Sequence, residues 1–169
     1  MSDDSRRTVV IGLGSPLMAD DGVGIVALER LRQRWPVHPD VEFVDGGTWG
    51  MNILHLIEQA DRVIFLDAIR NGAEPGTLVR LERSDLPRFL STKVSPHQID
   101  LREVLAVAEL RGTLPPDTVA LGVEPEAVVL STVLTPRIAA QVEDIVEAAM
   151  AQLAVWGHTP RNGEVLSHA

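Results

Sequence analysis

Short β-branched runs alternate along the chain with longer stretches in which apolar residues recur every three or four positions. Residues 8–13 (TVVIGL), 41–45 (VEFVD), 62–67 (RVIFLD) and 118–123 (TVALGV) read as buried strands closed by glycine or aspartate. Residues 76–81 (GTLVRL) alternate enough for an edge strand or a hairpin arm. Between the strands, a helix is predicted from about Asp20 or Asp21 to Trp35, with Val23, Val26, Ala27 and Leu31 at helical spacing and Pro36 and Pro39 ending it. A shorter helix covers 52–60, carrying Ile53, Leu56 and Ile57. Another begins near His97 or Gln98 and continues through Leu101, Leu105 and Ala108 to Gly112. In the last helix Thr135 caps, Pro136 takes the first position, and Ile138, Val142, Ile145, Ala149, Leu153 and Trp156 form one stripe. Residues 87–96 read as a loop and 125–134 as an irregular excursion. Such alternation predicts a three-layer α/β/α sandwich around a mostly parallel sheet of about five strands. The domain is expected over 1–157, with 158–169 a flexible tail.

Composition narrows the chemistry. The chain has 169 residues, 45% of them hydrophobic but only 4% aromatic, so the core must be aliphatic. It contains no cysteine, which excludes a thiolate nucleophile, a disulfide framework and sulfur-ligated zinc or iron. Fifteen basic against 24 acidic residues give a net charge of −9, with Lys93 the single lysine, which argues against nucleic-acid binding. No apolar run reaches the ~20 residues that cross a bilayer, and polar residues 1–7 carry no signal-peptide core. A soluble, cytoplasmic protein without membrane or nucleic-acid partners is expected.

Gly12-Leu13-Gly14 after the first strand is not a dinucleotide loop. Leu17 stands where the third glycine belongs, Asp45 follows too late for a ribose ligand, and GxxxxGK[ST] is absent. Gly12 and Gly14 instead relax a tight turn, and no bound cofactor is expected. Serine-hydrolase elbows and HExxH zincin motifs are also missing.

Acids collect where a parallel sheet places its chemistry, beyond the carboxyl ends of strands. Asp20 and Asp21 follow the first strand, Asp45 ends the second and Asp67 the third. One aspartate of the adjacent pair suffices to cap the following helix, which leaves the other free to face a cleft. Carboxylates converging on one crevice repel and lose hydration, a cost that a cation or a shared proton relieves. His97, in Ser95-Pro96-His97-Gln98, adds a nitrogen donor. Asp21 or Asp20, with Asp67 and His97, makes a sound N/O ligand set for nickel, zinc or iron. The other histidines carry less: His38 lies between prolines, His55 on a helix surface, His158 and His168 in the tail.

The succession GLGSPLMADDGVG, DGGTWGMNIL, VIFLDAI, PGTL, SPHQIDLREVL and LTP, spanning about 8–156, resembles the hydrogenase maturation endopeptidases of the HybD/HycI type. The resemblance implies a three-layer α/β/α fold and cytoplasmic removal of a short carboxy-terminal extension from the nickel-loaded [NiFe]-hydrogenase large-subunit precursor. The implied cut lies just beyond the residue, commonly histidine, that follows the last metal-ligating cysteine pair. The family's metal-contacting positions fall on Asp21, Asp67 and His97, which the resemblance makes catalytic as well, in an aspartic-type or metal-linked peptidase. Nickel is then carried by the substrate, although zinc or cadmium can occupy the same ligands in a crystal. Ser15, Asp20, Asp45, Gly46 and Gly47 are expected to shape the cleft, the two glycines as a flexible hinge. Two departures stand out: Ser15 replaces the usual asparagine, and Glu124-Pro125-Glu126 forms an acidic segment suited to tuning partner choice. A noncatalytic nickel-sensing chaperone and a metal-dependent small-amide hydrolase are the alternative functions.

Overall fold

The structure is a computed structural model and describes residues 6–35, 37–48, 52–86 and 101–159. Its sheet has five strands: β1 (Thr8–Gly12), β2 (Val41–Asp45), β3 (Arg62–Ala68), β4 (Leu78–Glu82) and β5 (Asp117–Val123). Their order is β2-β1-β3-β5-β4. All neighbours are parallel except β4, which runs antiparallel to β5 at the edge. The alternating GTLVRL pattern thus marks an edge strand, with every second residue of β4 buried. It is no hairpin arm, because α3 intervenes between β4 and β5.

The helices are α1 (Val23–Arg34), α2 (Asn52–Gln59), α3 (Leu101–Leu110), α4 (Pro136–Ala139) and α5 (Val142–Val155). They cover both faces of the sheet, as its near-continuous apolar strands require. On one face Val9, Ile11, Val63, Phe65 and Ala120 pack with Ile53, Ile57, Val104, Leu105 and Ala108 of α2 and α3. On the other, Val10, Ile64, Leu66, Val119 and Leu121 meet Val23, Ala27, Leu28 and Leu31 of α1 and Ile145, Val146, Ala149 and Leu153 of α5. Successive strand residues alternate between these clusters because side chains alternate across the pleat. Phe65, Ile64 and Leu66 are wholly buried, each contributing about 1.5–3 kcal/mol of burial free energy.

Two local expectations change. The stripe from Ile138 to Leu153 is buried as predicted, but the chain breaks at Ala140 and Gln141 into α4 and α5. Pro136 does occupy the start of α4, whereas the Thr135 side chain makes no capping bond to it. Its hydroxyl is engaged by Asp20 instead. Ahead of α1, residues Ala19–Gly22 form a 3-10 turn, and neither it nor α1 has a side-chain cap. The expectation that one aspartate caps that helix therefore fails.

The chain leaves β1 toward β2 and returns through α2 to β3 on β1's other side. Strand order reverses between β1 and β3, the crevice in which open parallel sheets bind their ligands. Among the described residues no helix is long and apolar enough to cross a membrane.

Candidate active site

The turn after β1 brings the first acids to that crevice. Gly14 has φ +107°, and a side chain there would collide with the Asp21 carbonyl. Only glycine adopts that backbone at no cost. The turn is locked further by Ser15 N–H, which donates to Asp21 Oδ2 at 2.8 Å. Ser15 thus contributes its backbone to the site, a contact available to any residue except proline at that position. Ala19 adopts a left-handed conformation with φ +49°, held by its N–H donating to Ser131 O at 2.8 Å.

The adjacent aspartates have opposite fates. Asp20 is fully buried. Its carboxylate accepts bonds from Glu126 N (3.0 Å), Ala127 N (2.9 Å), Thr135 N (2.8 Å) and the Thr135 hydroxyl (2.9 Å to Oδ2). Every one of those donors lies in the segment between β5 and α4. Asp20 is thus satisfied by hydrogen bonds within the fold, whereas Asp21 Oδ2 accepts only the nearby Ser15 N–H among the described residues.

Asp67 ends the buried run of β3, and its Oδ1 accepts the Ala68 N–H at 2.8 Å. Burial pushes its carboxyl well above the usual carboxylate range, and the nearby Asp21 charge pushes it higher, against the lowering effect of Ala68 N–H. Asp21 is also raised by burial, partly offset by the Ser15 N–H and by Arg70. The two strand-end acids therefore share one field, at the switch point between β1 and β3. Such a desolvated like-charge pair favours either a shared proton or a bound cation. Two carboxylates are hard oxygen donors, and with one imidazole they fit a borderline divalent ion such as nickel or zinc.

His97 lies outside the described residues. Among the described residues no group of three or more His, Cys, Asp or Glu side chains could hold a metal ion. Asp45 ends β2, where its Oδ1 accepts Gly47 N–H at 2.9 Å. Gly46 is buried, and a Cβ there would lie 2.7 Å from Ile11 Cγ2. Lack of space, not a need to bend, accounts for glycine at this point of the 3-10 turn Gly46–Thr48.

Two polar residues play parts that their neighbours in sequence do not indicate. Glu124 is buried; its carboxylate accepts Asn71 N–H at 2.8 Å, and its carbonyl accepts Gly76 N–H at 2.9 Å. It braces the loop after β3, so of the acidic Glu124-Pro125-Glu126 segment only Glu126 is exposed to a partner. His158 is also buried, with Nε2 2.7 Å from the Thr8 hydroxyl and its ring edge-on to His38 at 5.6 Å. Burial lowers its pKa, as do His38 and Arg62, against the opposing effect of Asp40. His55 is exposed on α2, as expected.

A family model described as hydrogenase maturation protease matches residues 25–152. The hydrogenase expression/formation protein HupD of Bradyrhizobium diazoefficiens is 37% identical over 160 residues, covering 94% of this chain and 83% of its own. Hydrogenase 2 maturation protease of Escherichia coli K12 is 35% identical, covering 89% of this chain and 93% of its own. Among solved structures, the E. coli hydrogenase maturating endopeptidase HybD superposes with a TM-score of 0.82 at 34% identity, over 89% of this chain and 94% of its own. An acid pair at the switch point of a five-stranded α/β/α sandwich thus coincides with a sequence match over most of its length: the chain belongs to the hydrogenase maturation protease family.

Proposed function

We propose that this protein is the cytoplasmic endopeptidase that removes the carboxy-terminal extension of a nickel-loaded [NiFe]-hydrogenase large-subunit precursor. The observation that carries this reading is the pairing of Asp21 with Asp67, two desolvated acids in one electrostatic field, in a chain of that family. Nickel arrives with the substrate, held by the precursor's cysteines. Asp21, Asp67 and His97 offer it oxygen and nitrogen donors, which makes docking conditional on the metal and brings the scissile peptide beside the acids.

Hydrolysis adds one water across the peptide C–N bond. An ionised carboxylate takes a proton from that water as its oxygen bonds to the carbonyl carbon; the C–N bond then breaks and the amine nitrogen receives a proton. Asp67 suits this exchange because its raised pKa brings proton gain and loss closer to the working pH. Asp21, held by Ser15 N–H, keeps a fixed orientation toward the same crevice.

The test is to mix purified protein with precursor, with and without nickel, and weigh the precursor by mass spectrometry. Loss of a defined carboxy-terminal peptide only from the nickel-loaded form is expected. His97→Ala should abolish that loss. A stoichiometric complex without cleavage would instead identify a chaperone, and hydrolysis of small amides without the folded precursor a general amidase.

A further inference from the structure

Eight large hydrophobic residues are conspicuously exposed among the described residues, and four of them gather beside the acid pair. Leu17 is 57% exposed, Val129 56%, Leu130 85% and Val133 69%. Of the other four, Leu78 and Val155 line a separate apolar groove between β4 and α5, Leu110 ends α3, and Val37 lies between α1 and β2. The first group lies on two segments stitched together by backbone: Ser131 N–H donates to Leu17 O at 2.9 Å, and Ala19 N–H to Ser131 O at 2.8 Å. Asp20 then fastens the second segment from beneath, through its bonds to Glu126, Ala127 and Thr135. Residues 14–19 (GSPLMA) and 127–136 (AVVLSTVLTP) contain no charged side chain, in a protein of net charge −9. An uncharged, apolar, braced ridge on an otherwise acidic chain has the composition of an interface centre.

Resting on the endopeptidase reading, we infer that this ridge docks an apolar segment of the large-subunit precursor that flanks the scissile bond. Continuity with the site selects this occupant. Leu17 stands four residues before Asp21, inside the same turn that Ser15 N–H locks onto the Asp21 carboxylate. A chain lying along Leu17, Leu130 and Val133 therefore lies against the turn that carries Asp21. The ridge itself displays no charge, the exposed Glu126 and Arg137 standing at its two ends, so its gain comes from apolar contact. Because its backbone is held by Asp20 and the Ser131 bonds, little ordering remains to be done on binding.

The test is the double variant Leu130→Ser/Val133→Ser, with Leu17→Ser as a second, independent truncation and Val155→Ser on α5 as the control. All four side chains are exposed, so folding is retained, which the thermal midpoint checks. Affinity for nickel-loaded precursor, followed without regard to cleavage, should weaken roughly tenfold in the double variant, with KM rising in step and kcat unchanged. Val155→Ser should leave both as they are. Unaltered affinity and KM in both ridge variants would overturn the docking role while leaving the protease reading intact. Weakened binding by a protein that never cuts would uphold the ridge and sink the protease. Concentration-dependent self-association abolished by the double variant, with precursor affinity unchanged, would assign the ridge to a second copy and overturn the proposal.

Discussion

The two ends of the sheet are built on opposite principles. At the amino ends of β1 and β3, complementary polar groups meet, although the buried Arg62 Nε makes no hydrogen bond. Thr8 meets His158, Arg62 Nη1 donates to the Trp156 carbonyl at 2.6 Å, the Arg62 guanidinium lies 5.6 Å from the Trp156 ring centre, and Asp117 faces Arg62 at 3.5 Å. At the carboxyl ends, Asp21 and Asp67 are brought into a common field that raises both carboxyl groups. One end joins the segment that follows α5 to β1 and β3. The other holds like charges together at an energetic cost, and an arrangement with a cost but no structural return is the mark of a functional site.

Asp67→Asn breaks this contrast most sharply. The acid end should lose its activity, with precursor cleavage falling by roughly three orders of magnitude or more, as when a proton-transferring group is removed. The same change should stabilise the fold. A carboxyl whose folded pKa is raised supports the native state fully below its unfolded pKa and loses that support as pH rises through the folded value. Asparagine removes the loss while keeping an acceptor for Ala68 N–H, so the thermal midpoint at neutral pH should rise by a few degrees. A midpoint that falls would show that Asp67 is held by a compensating charge.

Asp20→Ala separates the adjacent acids. Removing its carboxylate leaves three backbone N–H groups without their acceptor, at a cost of about 3 kcal/mol in denaturant unfolding. Asp21→Asn should cost little stability but, like Asp67→Asn, most of the cleavage. If both variants proved equally destabilised, the division between a structural Asp20 and a chemical Asp21 would collapse.

The smallest effect belongs to the paired end. His158 has a lowered pKa, so its contribution is complete above the unfolded value near 6.5 and is lost as pH falls toward the folded one. His158→Gln should flatten that acid limb, reducing the pH dependence of the midpoint between pH 7 and 5 by one or two degrees. An unchanged slope would place the acid sensitivity elsewhere.

Sequence pattern carried most of the fold. Runs such as VIFL announce strands covered on both faces, and the alternation of β4 announces an edge. It also carried the strand-end acids, because Asp67 directly follows such a run. What pattern could not supply were partners far along the chain. Asp20 and Asp21 are the same residue type at neighbouring positions; the family resemblance points to Asp21, but residue pattern alone does not separate them, and what holds Asp20 inside the fold are bonds to residues 106 to 115 positions later. Thr135 has the composition of a cap, but a buried carboxylate claims its hydroxyl first. Glu124 reads as part of an acidic surface, yet its side chain turns inward to a backbone N–H. His158 shows no helical periodicity, yet the bonds of its ring to the Thr8 hydroxyl and of its backbone N–H to the Leu153 carbonyl dock it all the same. The ridge carries a signal of its own in the sequence, Val128-Val129-Leu130, an apolar run inside an excursion without regular structure.

The reach of Asp20 across the molecule also sets an order of assembly. A nascent chain that has left the ribosome only as far as β3 already holds both members of the acid pair, but nothing yet anchors the turn that aims Asp21. The clasp closes only when Glu126, Ala127 and Thr135 have been synthesised and folded back. Until that clasp closes, the turn bearing Asp21 lacks its anchor to the segment ahead of α4.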